Sequence, residues 1–218
     1  MAENNGIAKM PDYRTIVQKT GAAYIPLVEK QISNGGSVDL YQHLCMENAL
    51  TMMHETAVGA GLEGISALQK SEIMQILQQV ATLRLNAFSR PRECYFQTRK
   101  KKQPDGNWTT SIEMGIEGDG NDVILRNFGH GVEEVYPYWD VHVDDEFTYP
   151  VHHGIDVEPP TWKRCGTGKY ARVVYPVRFT DGTVRYFISE RAEVRANLVA
   201  HINNNMMNET FGIAESRY

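Results

Sequence analysis

The chain has 218 residues, enough to bury a sizeable core as one large domain or two small lobes. Charged residues make up 22% and hydrophobic residues 42%, the proportions of an ordinary globular protein rather than a disordered or fibrous one. The net charge of −5 argues at first sight against a polyanion partner, and three cysteines with no Cys-x-x-Cys spacing argue for a reducing compartment and against zinc. With no signal peptide and no apolar run of membrane-spanning length, the expectation is a cytoplasmic protein without a membrane partner.

Residues 1–12 read as a disordered start. Residues 13–19 and 22–32 are short helical candidates separated at Gly21, and Asn34-Gly-Gly is a clear break. Ser37 is then a candidate N-cap for a helix with Leu40, Leu44, Ala49, Met52 and Met53 on its apolar stripe. A Gly-rich link leads to Ser71, the expected cap of a helix over 71–86 with Ile73, Ile76, Leu77, Val80 and Leu83 at helical spacing. After Phe88 the period moves towards two. Residues 93–99 read as a strand, 102–107 as a turn and 108–114 as the partner strand. A short helix is expected around 122–128, ended by Gly129. Residues 132–143 read as one strand, with Tyr138, Asp140, His142 and Asp144 on a single face, and 150–162 as a loop. A second hairpin spans 172–188 with its turn at Thr180-Asp181-Gly182-Thr183, and Ser189 caps a helix over 190–203. The predicted class is α+β: a helical N-terminal part followed by antiparallel β-hairpins with attached helices. Residues 13–203 form the expected domain, with a helical lobe over 13–87 and a hairpin lobe over 88–203. A polar tail, 204–218, follows.

The average charge conceals a pattern. Arg84, Arg90, Arg92, Arg99, Lys100, Lys101 and Lys102 are opposed locally only by Glu93. Between residues 113 and 158 lie twelve acidic side chains and one cation, Arg126. Residues 163–195 then hold eight cations, among them Lys169, Arg172, Arg178 and Arg185. Two basic blocks brought to one groove would bind phosphate whatever the overall charge. Tyr95, Phe96 and Trp108 interleave the first block, as core residues of a strand or as platforms for base stacking.

Other chemistry is less well supported. There is no Gly-x-Ser-x-Gly elbow, and Gly166-Thr-Gly-Lys169 lacks the spacing and the following Ser/Thr of a phosphate loop, so ATP use is not expected. Asp140, His142 and Asp144, with Glu146 nearby, have the side chains of a divalent-cation site and suggest a metal-dependent phosphodiesterase as an alternative; a solvent-facing polar strand would look the same.

In the order of its motifs the chain resembles the RecT/Redβ family of phage single-strand annealing proteins, over residues 25–197. The resemblance rests on the helix end Ala81-Thr-Leu-Arg-Leu-Asn86, the aromatic pair Tyr95-Phe96, and the lysine run 100–102. It continues in Gly115-Ile-Glu-Gly118 with the helix that leads to Arg126 and Gly129, in Asp145-Glu146-Phe147, and in Asp181-Gly182 with Phe187 and Ser189. Glu117 stands where the family has a cation, and the family's basic C-terminal helix has no clear counterpart, as in a divergent or shortened member. The resemblance implies an ATP-independent protein that binds single-stranded DNA, pairs it with a complementary strand and forms rings or helical filaments. It implies no catalytic residues and no required cofactor, with Mg2+ at most a modulator. Its expected partners are DNA, further copies of itself, a partner exonuclease and a host single-strand-binding protein, in a bacterial cell carrying a phage or prophage. The candidate DNA contacts are Arg84, Arg90, Arg92, Lys100, Lys101, Arg126, Lys169, Arg172 and Arg185, placed in a groove between the helical lobe and the hairpins. An oligomeric phage structural protein is the remaining alternative.

Overall fold

A computed structural model describes residues 15–33, 37–102 and 106–205, with side chains as far as residue 200. The expected disordered start, the Asn34-Gly-Gly break, half of the first hairpin turn and nearly all of the tail lie outside these residues. The chain is α+β, with helices first and antiparallel hairpins after. It divides into two compact units, residues 1–127 and 128–218. The first hairpin therefore belongs with the helices, not with the second hairpin, because its apolar face completes the helical core.

In the first unit, α1 (Ile16–Ile32) is one continuous helix. Gly21, expected to break it, is buried instead: a Cβ there would lie 3.3 Å from Leu50 Cδ1, so the glycine lets α1 approach α2 closely. Thr15 and Gln18 form a capping box at its start. The cap of α2 (Leu40–Gly59) is Asp39, paired with Gln42, rather than Ser37. The buried stripe is Cys45, Met46, Ala49, Leu50, Met53 and Ala57, leaving Leu40 90% exposed and Leu44 on the surface. Of the expected stripe, Ala49 and Met53 are buried and Met52 packs against the core; Leu40 and Leu44 are turned away, since an offset of one residue is about 100°. A short 3-10 turn (Gly64–Ala67) leads to α3 (Lys70–Leu83), where Ser71 lies inside the first turn and no side chain caps the start. Ile73, Ile76, Leu77 and Val80 are buried as predicted. The helix stops because Arg84 adopts a left-handed conformation (φ 58°) and donates its N–H to Val80.

Strands β1 (Cys94–Lys102) and β2 (Trp108–Ile116) pair from Cys94↔Ile116 to Lys102↔Trp108. Cys94, Phe96 and Ile112 join the helical core. Helix α4 (Gly118–Phe128) begins four residues before the predicted start. It does so because Glu117 donates its N–H to the Glu93 carbonyl, and Gly120 lies directly against that same oxygen.

In the second unit, β9 (Tyr170–Phe179) is the spine. On one side it pairs with β10 (Val184–Glu190); on the other it pairs in succession with β3 (Val132–Val135) and β4 (Trp139–His142). The single strand expected over 132–143 is broken at Tyr136-Pro137-Tyr138, since proline has no N–H for a ladder. The segment expected to be a loop is a projecting arm. Here β5 (Glu146–Thr148) pairs with β8 (Thr161–Lys163), and β6 (Val151–His153) with β7 (Asp156–Glu158). Pro150 on one side and Pro159-Pro160 on the other separate the two ladders. The second hairpin has the predicted Asp181-Gly182 turn, with Thr183 N–H donating to Asp181 Oδ1 at 2.8 Å and Gly182 at φ 82°. Ser189 and Glu190 remain in β10, and the last helix, α5 (Arg191–Asn205), starts after them.

The contact at Gly120 gives a test of this packing. A Cβ there would lie 2.0 Å from the Glu93 carbonyl oxygen, a backbone atom that cannot rotate away. Gly120→Ala is expected to destabilise the first unit by about 1–3 kcal/mol, as overpacking does. Gly118→Ala, which meets nothing within 4 Å, is expected to be neutral or slightly stabilising. Thermal unfolding of the two variants followed by circular dichroism checks the contrast.

Candidate nucleic-acid surface

The predicted cations divide into those already paired within the protein and those facing solvent. Arg84 forms an ion pair with Asp39 and lies over the Tyr41 ring. Arg172 is the most enclosed. Its Nε donates to Glu190 Oε1 at 3.0 Å, and its guanidinium covers the rings of Phe147 and Tyr149. Arg185 faces Asp181 at 3.9 Å and covers Phe179. Arg178, from the same block, faces Glu134 at 4.0 Å and lies over Tyr136. Much of the second basic block thus holds its own unit together.

Arg90, Arg92, Lys100, Lys101, Arg126 and Lys169 are exposed and form no ion pair with the described residues. Arg90 and Arg92 sit on the connection between α3 and β1, which is tightly organised. Asn86 Oδ1 accepts from Phe88 N–H at 2.9 Å and from Asn48 Nδ2 at 2.9 Å; the Ser89 hydroxyl contacts the Asn86 and Pro91 carbonyls; and the buried Glu93 carboxylate accepts the Asn86 N–H at 2.6 Å. This connection presents Phe88 to solvent beside the two arginines. At the far end of β1, Lys100, Lys101 and Lys102 are all exposed. Arg99, one residue earlier, is paired with Glu113 at 2.8 Å.

The three aromatic residues have different roles. Phe96 is core, 8% exposed. Tyr95 is half-buried, its ring lying across Gly115 on the partner strand, where any Cβ would collide with it. Trp108 is 65% exposed and directly opposite Lys102. Phe88 is a further exposed ring that the sequence reading did not select, although its place between Arg84 and Arg90 was visible.

The expected face of Asp140, His142 and Asp144 does not form. Val141 pairs with Arg172 and His142 with Tyr170, so the ladder skips Ala171 in a bulge. This loss of alternation turns both Val141 and His142 inward and leaves Asp144 on the surface beside Gly166 and Gly168. Among the described residues no group of three His, Cys, Asp or Glu side chains is arranged to hold a metal ion. Glu146 is on the arm, paired with Lys163 at 3.0 Å. The Cys45 and Cys94 thiols, buried and close to Glu93, are pushed up to about 12 and about 11 and stay protonated at neutral pH.

Asp145, quoted above only as part of a motif, is the organising residue of the second unit. Its fully buried carboxylate accepts N–H bonds from His142, Cys165 and Gly166 and from the Trp162 indole, at 2.8–3.1 Å. The amides of Cys165 and Gly166 are thus directed at this carboxylate. His142 Nδ1 lies 3.4 Å from the same group and makes no hydrogen bond. Burial pushes the Asp145 carboxyl up, but the four donors outweigh burial and hold it well below the usual carboxylate range. A lowered folded-state value stabilises the protein above the unfolded value near 4, and that contribution is lost as pH falls further. Asp145→Asn is therefore expected to lower the unfolding temperature of the second unit at neutral pH and to flatten its acid limb below about pH 4. A pH series of melting curves on both proteins measures this.

Compared with models of known protein families, with characterised proteins and with solved structures, the chain has no match in any of the three. No helix among the described residues is long and apolar enough to cross a membrane.

Proposed function

We propose that the protein binds single-stranded DNA and anneals it to a complementary strand without ATP, in the manner of the RecT/Redβ proteins its motifs resemble. The observation that carries this reading is the end of the first hairpin, where an exposed indole, Trp108, stands opposite Lys102 and beside the unpaired Lys100 and Lys101. A cation neutralises a phosphate, and an aromatic face stacks on any base without reading its edge. That combination suits a protein that must hold a strand while leaving the base edges free to pair. Phe88, Arg90 and Arg92 repeat the combination at the other end of β1. The eight steps between its nine residues, at about 3.4 Å each, separate the two ends by about 27 Å, the length of about eight nucleotides at the duplex rise of about 3.4 Å.

Arg126 and Lys169 remain in the pool of backbone contacts. Arg84, Arg172 and Arg185 belong primarily to the scaffold. The reading requires a supply of single strands, hence an exonuclease acting before it, and a cellular single-strand-binding protein competing for the same substrate.

Charge reversal discriminates the two classes of cation. Arg90→Glu with Arg92→Glu, and separately Lys100→Glu with Lys101→Glu, are expected to weaken oligonucleotide binding. Each pair should lower the slope of log affinity against log salt by about 1.4, two contacts at about 0.7 each. Trp108→Ala is expected to cost about 5- to 150-fold, the equivalent of about 1–3 kcal/mol for one stacked base. Fluorescence titrations over a salt range measure both effects, and a quenching assay with complementary oligonucleotides reads annealing. Unchanged affinity and slope in both charge-reversal pairs would overturn the reading, as would strand cleavage on addition of Mg2+ or Mn2+.

A further inference from the structure

Among the described residues, the outer half of the arm, β6 and β7, has no strand partner beyond itself. Every residue from Val151 to Glu158 is exposed, and Ile155 at the turn is 98% exposed. Each strand makes its extensive contacts only with the other. A lone two-stranded hairpin is marginal in water, and a free strand edge is a template for another strand.

The two edges of this hairpin differ in chemistry. β6 carries His152 and His153, whereas β7 carries Asp156 and Glu158. We propose that the arm tip joins copies of this chain head to tail, with β6 of one copy pairing along β7 of the next and Ile155 covered in the joint. Like-to-like pairing would set carboxylates against carboxylates, which destabilises a sheet. Unlike pairing sets imidazoles against carboxylates, a match the hairpin already makes internally between His153 Nε2 and Glu158 Oε2 at 3.5 Å. An imidazole N–H donates to a carboxylate in either protonation state, so the match does not depend on the histidines being charged.

The joined surfaces are different, so the contact is heterologous. Each joint leaves one β6 and one β7 edge free, and the series closes into a ring or continues as a filament. Pro150, Pro159 and Pro160 stop the ladder from running into β5 and β8, which limits each joint to three residues per strand. A joint that small is weak alone and gains strength when copies are held side by side on one DNA strand. In that respect the proposal rests on the annealing reading and adds how its copies connect.

The test uses the full chain and two charge-swapped forms, one with His152→Glu and His153→Glu, the other with Asp156→Lys and Glu158→Lys. Mass is read by sedimentation velocity over a concentration series, with and without a long oligothymidylate. The wild type is expected to assemble, and each swapped form alone to remain at the mass of a single chain. Their equimolar mixture should regain assembly, because the acidic β6 of one form fits the basic β7 of the other. That recovery also excludes misfolding as the cause of the loss. A wild type that stays single under every condition, swapped forms that assemble as the wild type does, or a mixture that fails to recover would each overturn the joint. Oligothymidylate affinity, measured on the same samples under dilute conditions, separates the two ideas. Normal binding with assembly indifferent to the swaps removes the joint alone; assembly without any binding removes the annealing reading alone.

Discussion

Glu93 sits where three parts of the first unit meet. Its carboxylate, nearly buried, receives the main-chain amide of Asn86 and so fixes the connection from α3 to β1. Its carbonyl oxygen receives the amide of Glu117 and bears on Gly120, fixing the start of α4. Helix, hairpin and second helix are positioned by one residue that is acidic in the middle of the most basic stretch of the chain. Asp145 serves the second unit in the same way, through amides from β4 and from the segment before β9 and the indole of β8. In both places a buried carboxylate is held by N–H groups rather than by a cation, which leaves nearby cations free for other contacts.

This separation of duties explains how an acidic protein can present a basic surface. Arg90, Arg92 and Lys100 to Lys102 face solvent at the two ends of β1, while Arg172, Arg178 and Arg185 are paired with Glu190, Glu134 and Asp181. Arginines stacked on Phe147, Tyr149, Tyr136 and Phe179 also cover apolar surface, a packing role as much as an electrostatic one. Counting basic residues along the chain overstates the second block and is nearer the mark for the first.

Much of the fold was legible wherever the signal is local. The periodic stripe of α3, the Asp-Gly turn of the second hairpin and the change of period after Phe88 each rest on neighbours in sequence. The errors share a cause in distant contacts. Gly21 reads as a break until Leu50, on another helix, is seen against it, and a bulge that hides His142 is set by β9, some thirty residues on. Strands of three residues flanked by proline, as in the arm, are too short to show a period of two. One miss was avoidable: Gln42, three residues after Asp39, completes a capping box and marks Asp39 over Ser37. Which cations are paired was not legible, because Asp39 is 45 positions from Arg84 and Glu190 is 18 from Arg172.

The buried core of the first unit runs from Ile25 to Ile112, and Val17, Met114, Val123 and Ile124 pack against it, all before residue 128. At a synthesis rate of about 5–20 residues per second, the roughly ninety residues of the second unit take about 5–18 s to appear, which is long against the folding time of a small, mostly helical body. The first unit can therefore close while the rest of the chain is still being made. Its lysine-bearing hairpin and arginine connection are then in place on the ribosome, among RNA, before the acidic side chains of the second unit exist to offset them.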